Sequence, residues 1–270
     1  MAMSGAEMAL LERAREGDEQ ALEALLAAAQ PQLYRFSMRM CRQTEDAEDV
    51  LQDSMMSLAR SVRDFRGSSS LSTWIFTIAR SFCIKKRRKG KFAPSQLESF
   101  DELSAREAGS IESSQPDPEQ AVETAEVWKQ IQAGIEKLDP DLREVLILRD
   151  IEGLTAKEVS EVVGISGSAV KSRLHRARVG LRSTLSPQAY VPKAGCPNIR
   201  ELFSKHLEGE ISSEICTAME GHVNDCPDCA AECLGLRTAL NACSTAPSEV
   251  PLRVQEQVQQ AIRSAIKASS

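Results

Sequence analysis

The sequence is poor in aromatic residues and has no long apolar run. Phe, Trp and Tyr together make up 4% of its 270 residues. It contains no stretch of about 18 apolar residues, the length that a membrane-spanning helix needs, and its N-terminus lacks the basic and then apolar pattern of a secretory signal. We therefore expect a cytoplasmic protein with no membrane partner.

Catalytic signatures are missing as well. We find no nucleophile motif, no glycine-rich nucleotide-binding loop and no spaced carboxylate pair, which predicts a binding protein and not an enzyme. The formal net charge of −6 hides runs of one sign. Residues 80–91 hold seven basic residues and no acid, and residues 171–182 hold five basic residues and no acid. Each segment therefore has to be considered by its own charge.

The eight cysteines are unevenly placed along the chain. Because a reducing cytosol disfavours structural disulfides, clustered thiols there indicate metal or redox chemistry. Cys41 and Cys83 are interpreted as small core residues far from the cluster. The other six lie in the last 75 residues: Cys196, Cys216, Cys226, Cys229, Cys233 and Cys243.

Apolar residues recur at helical spacing over most of the chain, and little β signal is present, so the predicted fold class is all-α. Composition divides the chain into a helical domain over residues 7–92, a flexible acidic linker over 93–124, a second helical domain over 125–186 and a cysteine-rich domain over 196–266. The last of these ends in an amphipathic segment, Leu252 to Ile266. In the first domain we expect Pro31 to open a helix and Thr44 to cap one.

Residues 155–185 have the pattern of a helix-turn-helix. Thr155 and Glu158 form a capping box, Gly164 permits a tight turn, and apolar residues form one stripe along the second helix. The opposite face is expected to contact DNA bases and phosphates through Ser168, Lys171, Ser172, His175, Arg176 and Arg178. A solvated basic helix is the alternative interpretation, and His175 is either a base contact or a polar surface group.

Two sets of motifs resemble those of bacterial extracytoplasmic-function (ECF) sigma factors, in the same order. Residues 138–145 and 153–178, with GIS at 164–166 and VKSRLHRAR at 170–178, resemble region 4 of that family. Residues 46–53 (DAEDVLQD) and 72–80 (STWIFTIAR) resemble region 2. The resemblance implies two helical domains joined by a linker, which bring RNA polymerase core enzyme to promoter DNA and help to open the duplex.

The resemblance also implies roles for individual residues. The acidic helix is expected to dock on polymerase through Asp46, Asp49, Gln52 and Asp53, with an ordinary solvated face as the alternative. The next loop is expected to hold an unstacked base through Phe65 and Arg66, whereas Trp74 and Phe76 are expected in the core. A solubility patch or RNA binding is the alternative for the basic run. That run is expected to bind DNA phosphates through Arg80, Lys85, Lys86, Arg87 and Arg88.

The cysteine-rich end carries the clearest chemical signal. His222 and Cys226 are spaced to share one helical face, and the two-residue gap before Cys229 lets both thiolates reach one ion. With Cys196 as the fourth ligand, the Cys₃His set suits Zn²⁺, and also Cd²⁺ or copper as Cu⁺. Cys233, Cys216 and Cys243 are further candidate ligands, for which a buried structural role is the alternative. His206 is a spare ligand or a surface residue.

This spacing resembles the zinc-binding anti-sigma domain, here fused behind the sigma factor as in the CorE-like, metal-dependent ECF group. The resemblance implies that metal ions control activity, and the hypothesis is that the tail packs on both sigma domains until metal shifts the balance. A structural zinc site, a thiol-disulfide sensor using Cys226 and Cys229, and a helix-turn-helix regulator that never joins polymerase are the alternatives.

Overall fold

The structure of the protein, a computed structural model, describes residues 5–41, 43–92, 129–185, 190–244 and 250–267. Within these ranges the chain is helical without a strand, which confirms the predicted all-α class. No helix in the same ranges is long and apolar enough to cross a membrane. The predicted linker over residues 93–124 lies outside the described residues.

The helices fall into three groups. The N-terminal bundle contains α1 (Gly5–Arg15), α2 (Glu19–Met40), α3 (Thr44–Ser61) and α4 (Leu71–Phe92). The helix-turn-helix unit contains α5 (129–137), α6 (Pro140–Leu146), α7 (Ala156–Val163) and α8 (Gly167–Leu185). The C-terminal domain contains α9 (Ile199–Leu207), α10 (Ser213–Asp225), α11 (Pro227–Ser244) and α12 (Leu252–Lys267).

Two local expectations for the N-terminal bundle are wrong. Pro31 lies inside α2 and does not open a helix. Leu26 and Phe36, on either side of it, are buried in the same core, and their burial offsets the roughly 3 kcal/mol that an interior proline costs. Thr44 is the first residue of α3, and the cap position belongs to Gln43, whose side chain makes no capping hydrogen bond.

The local signals of the helix-turn-helix unit are confirmed. Pro140 occupies the first turn of α6, and Thr155 and Glu158 form the complete capping box at the start of α7. Gly164 ends α7 in the left-handed region, at φ 75°, where a side chain would be strained. The buried Arg143 side chain donates to the carbonyl oxygens of Ile135 and Leu138, and so satisfies the C-terminal end of α5.

One apolar core runs through all three groups of helices. It joins Leu51 and Phe76 of the N-terminal bundle to Leu174 of the helix-turn-helix unit and to Cys243 and Val258 of the C-terminal domain. A second, small cluster is built around Ile199, Met219 and Cys229. The C-terminal domain therefore packs against both preceding units through α11 and α12, and four of its cysteines, Cys196, Cys226, Cys229 and Cys233, belong to the separate small cluster.

Polar contacts also join the first two units directly. Glu152 receives hydrogen bonds from Arg35 (2.9 Å to its Oε2) and lies 3.7 Å from Arg39, and Glu144 pairs with Arg80. Ser70 donates to Glu158, the acid of the capping box, at 2.7 Å. The described form of the chain is therefore closed, with the two units in contact and not separated.

Candidate functional site

The second helix of the helix-turn-helix, α8, has the two faces that its sequence predicts. Val170, Leu174, Ala177 and Leu181 are fully buried and pack the helix onto α6 and α7. Ser168, Ser172 and Arg176 are exposed, while Lys171 and His175 are half-buried. Three of the six side chains predicted to face DNA therefore meet solvent, and the other three face protein.

Arg178 is the residue for which the prediction of an exposed DNA contact fails most clearly in this form. Its side chain is 2% exposed and donates to both carboxylate oxygens of Asp150, at 2.8 and 2.7 Å. It also donates to Glu208 (2.7 Å) and Ser204 Oγ (3.0 Å) of the C-terminal domain. Although burial lowers the pKa of Arg178, hydrogen bonds and charge from Asp150 and Glu208 raise it above its usual value.

Further acids of the C-terminal domain lie against the same helix. Lys171 forms an ion pair with Glu210. Arg182 lies 3.3 Å from Glu232, a carboxylate that is itself buried and also accepts a hydrogen bond from Arg200 at 2.7 Å. Lys171 and Arg178, two cations predicted to bind DNA, are thus met by carboxylates, as is the neighbouring Arg182.

His175 is held between α8 and the C-terminal domain. Its Nδ1 is buried without a hydrogen-bond partner among the described residues. Burial lowers the pKa of His175; Glu201 raises it, whereas the nearby cations Arg178, Arg200 and Lys205 lower it. The surroundings of His175 in the closed form therefore favour the neutral imidazole.

The loop and helix predicted to meet melted DNA are only partly accessible. Phe65 is 7% exposed and its ring lies 4.8 Å from that of Trp74, so it is packed in the core and does not project as a stacking surface. Arg66 is exposed. Arg80 is half-buried in its pair with Glu144. Phe76 is buried, as expected for a core residue.

The basic run at the end of α4 is more open. Lys85, Arg87 and Arg88 are exposed. Lys86 bridges Asp46, at 3.2 Å, and Asp49 on the neighbouring α3. Hydrogen bonds from Lys86 to these two acids raise its pKa, so this cation is shared with the face predicted to bind polymerase.

That acidic face of α3 lies beside the C-terminal helix α12. Asp49, Gln52 and Asp53 are exposed and Asp46 is partly exposed. Asp49 and Gln52 line a groove of about 590 Å³ between the two helices, with Val258 of α12 on the other side. Arg253 of α12 pairs with Glu48 at 2.7 Å. The α12 helix therefore borders the surface that the sequence assigns to a protein partner.

The predicted metal ligands converge. The sulfur and nitrogen atoms of Cys196, His222, Cys226 and Cys229, called the quartet below, all lie within 4.8 Å of one another. Cys196 Sγ lies 3.9 Å from Cys226 Sγ, and His222 Nε2 lies 3.2 Å from Cys229 Sγ. His222 comes from α10 and Cys229 from the first turn of α11.

The quartet fits a tetrahedral zinc ion. With Zn–S near 2.3 Å and Zn–N near 2.0 Å, two thiolates are about 3.8 Å apart and a thiolate and imidazole about 3.5 Å apart. Backbone N–H groups of Cys229 and Asp228 help to lower the pKa of Cys226, whereas burial raises that of Cys229 to about 11. A cation is therefore required to hold both as thiolates.

The three further candidate thiols are not in the quartet. Cys243 is buried in the main core, where burial raises its pKa to about 12. Cys233 is half-buried at the edge of the small cluster, and Cys216 lies near His206, with Nδ1···Sγ at 3.5 Å. Cys233 lies one helical turn beyond Cys229 on α11. It can join the site only if its side chain turns towards the ion. Cys83 is buried and Cys41 is half-buried against the core.

Sequence reasoning missed the residues that surround the quartet. The Tyr190 hydroxyl lies 3.2 Å from Cys229 Sγ, and the Arg200 guanidinium sits 5.0 Å from the centre of the Tyr190 ring. Arg200 then pairs with the buried Glu232. Glu232 follows Cys229 by three positions on α11, which was the available signal that it shares a helical face with a ligand.

Comparison with known families matches all three parts of the chain. Residues 25–92 match the family described as Sigma-70 region 2, and residues 128–181 match Sigma-70, region 4. Residues 196–230, which include the whole quartet, match a family described as a putative zinc-finger. The match to the zinc-finger family and the ligand geometry together indicate a bound metal, with zinc as the ion that fits.

Individual relatives match the first two parts. The RNA polymerase sigma factor YlaC of Bacillus subtilis is 31% identical over 156 residues, which cover 57% of this chain and 86% of that protein. The RNA polymerase sigma-H factor of Pseudomonas aeruginosa is 28% identical over 66% of this chain and 93% of its own length. The ECF RNA polymerase sigma factor SigE of Mycolicibacterium smegmatis is 29% identical over 63% of this chain, and the match spans 65% of that protein.

The matches to region 2 and region 4, in that order, agree with the observed helical units and with the resemblance seen in the sequence. This chain therefore belongs to the ECF family of RNA polymerase sigma factors.

Proposed function

We propose that this chain directs RNA polymerase core enzyme to promoter DNA, and that its own C-terminal domain holds it in a closed, inactive form. Metal at the quartet sets the balance between the closed and open forms. This is the arrangement implied by the resemblance to the CorE-like group. The single observation that carries the proposal is the burial of Arg178 on α8 under Glu208 of the C-terminal domain.

The contacts on α8 support inhibition of DNA binding. Phosphate contacts supply much of the affinity of a protein for DNA, so a cation already paired with a carboxylate contributes little. Glu208, Glu210 and Glu232 pair with Arg178, Lys171 and Arg182 respectively. Of the predicted DNA contacts on this helix, Ser168, Ser172 and Arg176 stay accessible. The closed form is expected to bind promoter DNA weakly through this helix.

The position of α12 supports inhibition of polymerase binding. The proposed polymerase-binding residues are Asp46, Asp49, Gln52 and Asp53 on α3. Val254 and Val258 of α12 are buried against the same core as α3, and the pair between Arg253 and Glu48 adds a charged contact. A basic partner surface that approaches α3 meets α12 first. Release of α12 is therefore a condition for docking.

The N-terminal bundle has its own proposed DNA contacts. Arg66, Lys85, Arg87 and Arg88 are exposed and are available to phosphates in the closed form. Arg80 becomes available when Glu144 of the helix-turn-helix unit moves away, and Lys86 when its pairs with α3 break. Phe65 is proposed to leave the core only when it meets an unstacked base.

A chain of contacts links the quartet to α8. Tyr190 touches Cys229 through its hydroxyl and Arg200 through its ring, and Arg200 pairs with Glu232. Glu232 also pairs with Arg182 of α8. Because the quartet is assembled in the closed form, an ion that prefers this geometry stabilises that form. We infer that zinc favours closure, and that loss of zinc, or its exchange for Cd²⁺ or copper, favours opening.

Run-off transcription with core polymerase tests the proposal. We expect low output from the zinc-loaded wild type and higher output from Cys226→Ser, which removes one ligand. Ala231→Ser, an exposed position on α11 outside the quartet, is the matched control and should behave as wild type. Equal output from wild type and Cys226→Ser across a series of Zn²⁺, Cd²⁺ and Cu⁺ would overturn the regulatory part. Failure of both to bind core polymerase would overturn the whole.

A thiol-disulfide response is the second candidate. The sequence suggests Cys226 and Cys229 as its pair, and the distance of 3.9 Å between Cys196 Sγ and Cys226 Sγ makes Cys196 and Cys226 a further pair. Oxidation of this pair by a peroxide would join the two sulfurs and release the metal. Transcription that rises with peroxide but not with any metal would favour this candidate. Co-purification with core polymerase separates both candidates from a regulator that acts without polymerase.

A further inference from the structure

A second group of metal-binding side chains lies on the C-terminal domain, apart from the quartet. His206 lies in the last turn of α9, while Cys216 and Glu220 lie on α10. The spacing of four residues puts Cys216 and Glu220 on the same face of their helix. His206 Nδ1 is 3.5 Å from Cys216 Sγ, and Glu220 Oε1 is 3.7 Å from the same sulfur.

Both distances equal those between ligands of one tetrahedral ion. With metal–S near 2.3 Å, metal–N near 2.0 Å and metal–O near 2.1 Å, a thiolate lies about 3.5 Å from an imidazole nitrogen and about 3.6 Å from a carboxylate oxygen. His206 and Glu220 are exposed and Cys216 is half-buried. Among the described residues, the quartet is the group whose ligand atoms already lie together, so binding at this second site requires the exposed Glu220 side chain to rotate towards His206, and water has access to the fourth position.

The chemistry of the three groups also calls for a cation. Cys216 Sγ faces the Glu220 carboxylate at 3.7 Å, so a thiolate there would lie beside a second anion. A divalent cation between the sulfur and the carboxylate removes that repulsion. Sulfur, nitrogen and oxygen donors together suit a borderline ion such as Zn²⁺ or Cd²⁺ and do not suit Mg²⁺ or Ca²⁺.

We propose that His206, Cys216 and Glu220 form a second binding site for a thiophilic divalent cation, with an open coordination position. The quartet supplies four protein ligands and is closed, whereas this site supplies three and can exchange its ion readily. The site needs neither the quartet's ion nor the proposed regulation. His206 lies two positions before Glu208, the residue that pairs with Arg178 of α8. Occupancy of the second site therefore acts close to the contact that covers the DNA-reading helix.

A cobalt titration of the full chain tests this site. The reduced protein is first given one equivalent of Zn²⁺, which fills the quartet and resists replacement because zinc binds such sites more tightly than cobalt. Co²⁺ is then added, and the thiolate-to-cobalt charge-transfer absorption is followed. We expect one further equivalent to bind in the wild type, with the intensity of a single thiolate ligand.

Cys216→Ser should abolish the charge-transfer band of this second equivalent, and His206→Asn should weaken binding at least tenfold. Cys233→Ser removes a thiol of the same domain outside both sites and should leave the second equivalent intact. The quartet signal of each variant, measured with Co²⁺ and no zinc, reports whether the domain still folds. Absence of a second equivalent in the wild type, or a second equivalent unchanged by both variants, would overturn the proposal.

Discussion

Two basic helices of this chain, α4 and α8, differ in whether acids of the C-terminal domain pair with their cations. Near the end of α4, Lys85, Arg87 and Arg88 are exposed, and Lys86 pairs only with acids of the adjacent α3. On α8, carboxylates of the C-terminal domain pair with Lys171, Arg178 and Arg182. Acids of the C-terminal domain therefore pair with cations of α8, whereas three cations near the end of α4 stay exposed to solvent.

Under the proposed function, the difference indicates how inhibition is distributed between the two helices. A domain that acted by its overall negative charge would attract both basic helices, but here contact depends on the positions of Glu208, Glu210 and Glu232. The same domain meets the N-terminal bundle mainly through apolar contacts of α12. Under the proposed function, recognition of DNA by α8 and of polymerase by α3 are thus blocked by different kinds of contact, and each can be tested separately.

The largest effect is expected for Glu208→Ala. It leaves the buried Arg178 with Asp150 as its charged partner and Ser204 as a neutral one, and breaking a buried ion pair by removing one partner costs about 3 kcal/mol. The affinity of the full chain for promoter DNA, measured by fluorescence anisotropy, should rise by up to about 100-fold. Glu210→Ala breaks only a partly exposed pair with Lys171 and should change affinity less than about fivefold. Equal changes in DNA affinity for Glu208→Ala and Glu210→Ala would contradict the expectation that a buried ion pair inhibits DNA binding more than an exposed pair does.

Val258→Asp should have the next largest effect, on polymerase binding. Val258 is 2% exposed, so the new carboxylate would be buried without a partner and α12 should detach from α3. We expect affinity for core polymerase, measured by surface plasmon resonance, to increase about tenfold.

Gln259→Asp adds the same charge at an exposed position of α12 and is the control. If Gln259→Asp raises the affinity for core polymerase as much as Val258→Asp does, charge and not packing sets the effect. If Val258→Asp leaves affinity for core polymerase unchanged, α12 does not block docking.

Removal of two exposed cations from α4 tests whether this helix binds DNA in the closed form. Arg87→Ala with Arg88→Ala should weaken the residual DNA binding of the closed chain several-fold and reduce the slope of log affinity against log salt by about two. Lys193→Ala with Arg237→Ala removes two exposed cations of the C-terminal domain and should leave the slope unchanged. An unchanged slope in the α4 variant would show that α4 does not meet DNA in the closed form.

The smallest effect is expected from pH. His175 has a lowered pKa only while it is covered, so the closed form binds fewer protons than the open form. Closure is then fully stable above the ordinary histidine pKa of about 6.5 and weakens as the pH falls through that value. DNA affinity should rise on acidification from about pH 7.5 to about pH 5.5.

His175→Asn should lack this part of the pH response. Comparing the two proteins at each pH removes the contribution of ligand protonation at the quartet, which both share. Identical pH profiles would contradict a change in the environment of His175 on closure.

Local structure and ligand spacing were predictable from the sequence. The capping box at Thr155 and the turn at Gly164 depend on neighbouring residues alone, and both are found. The quartet follows from the spacing of His222, Cys226 and Cys229, because a helix end and a two-residue gap bring such side chains together. Pro31 shows the limit, since burial on both sides of it outweighs its local preference.

The partners across the interface were not predictable. Arg178 and Arg176 differ by two positions on one basic helix, yet one is buried and the other exposed, because Glu208 and Asp150 come from distant segments. Phe65 was assigned to DNA by the resemblance but packs on Trp74 in the closed form. Such differences depend on how whole domains meet, and helical periodicity contains no information about that.

Thirteen residues, 186–198, lie between the end of α8 at Leu185 and the start of α9 at Ile199. A tether of this length keeps the covering carboxylates at an effective concentration on the order of millimolar, however dilute the protein is. Under the proposed function, stoichiometry is then fixed at one inhibitory domain for each sigma factor, and raising or lowering expression cannot unbalance the two. A cell that doubles its supply of this protein doubles its capacity to respond, while the response of each molecule still depends only on the chemistry at its own thiolates.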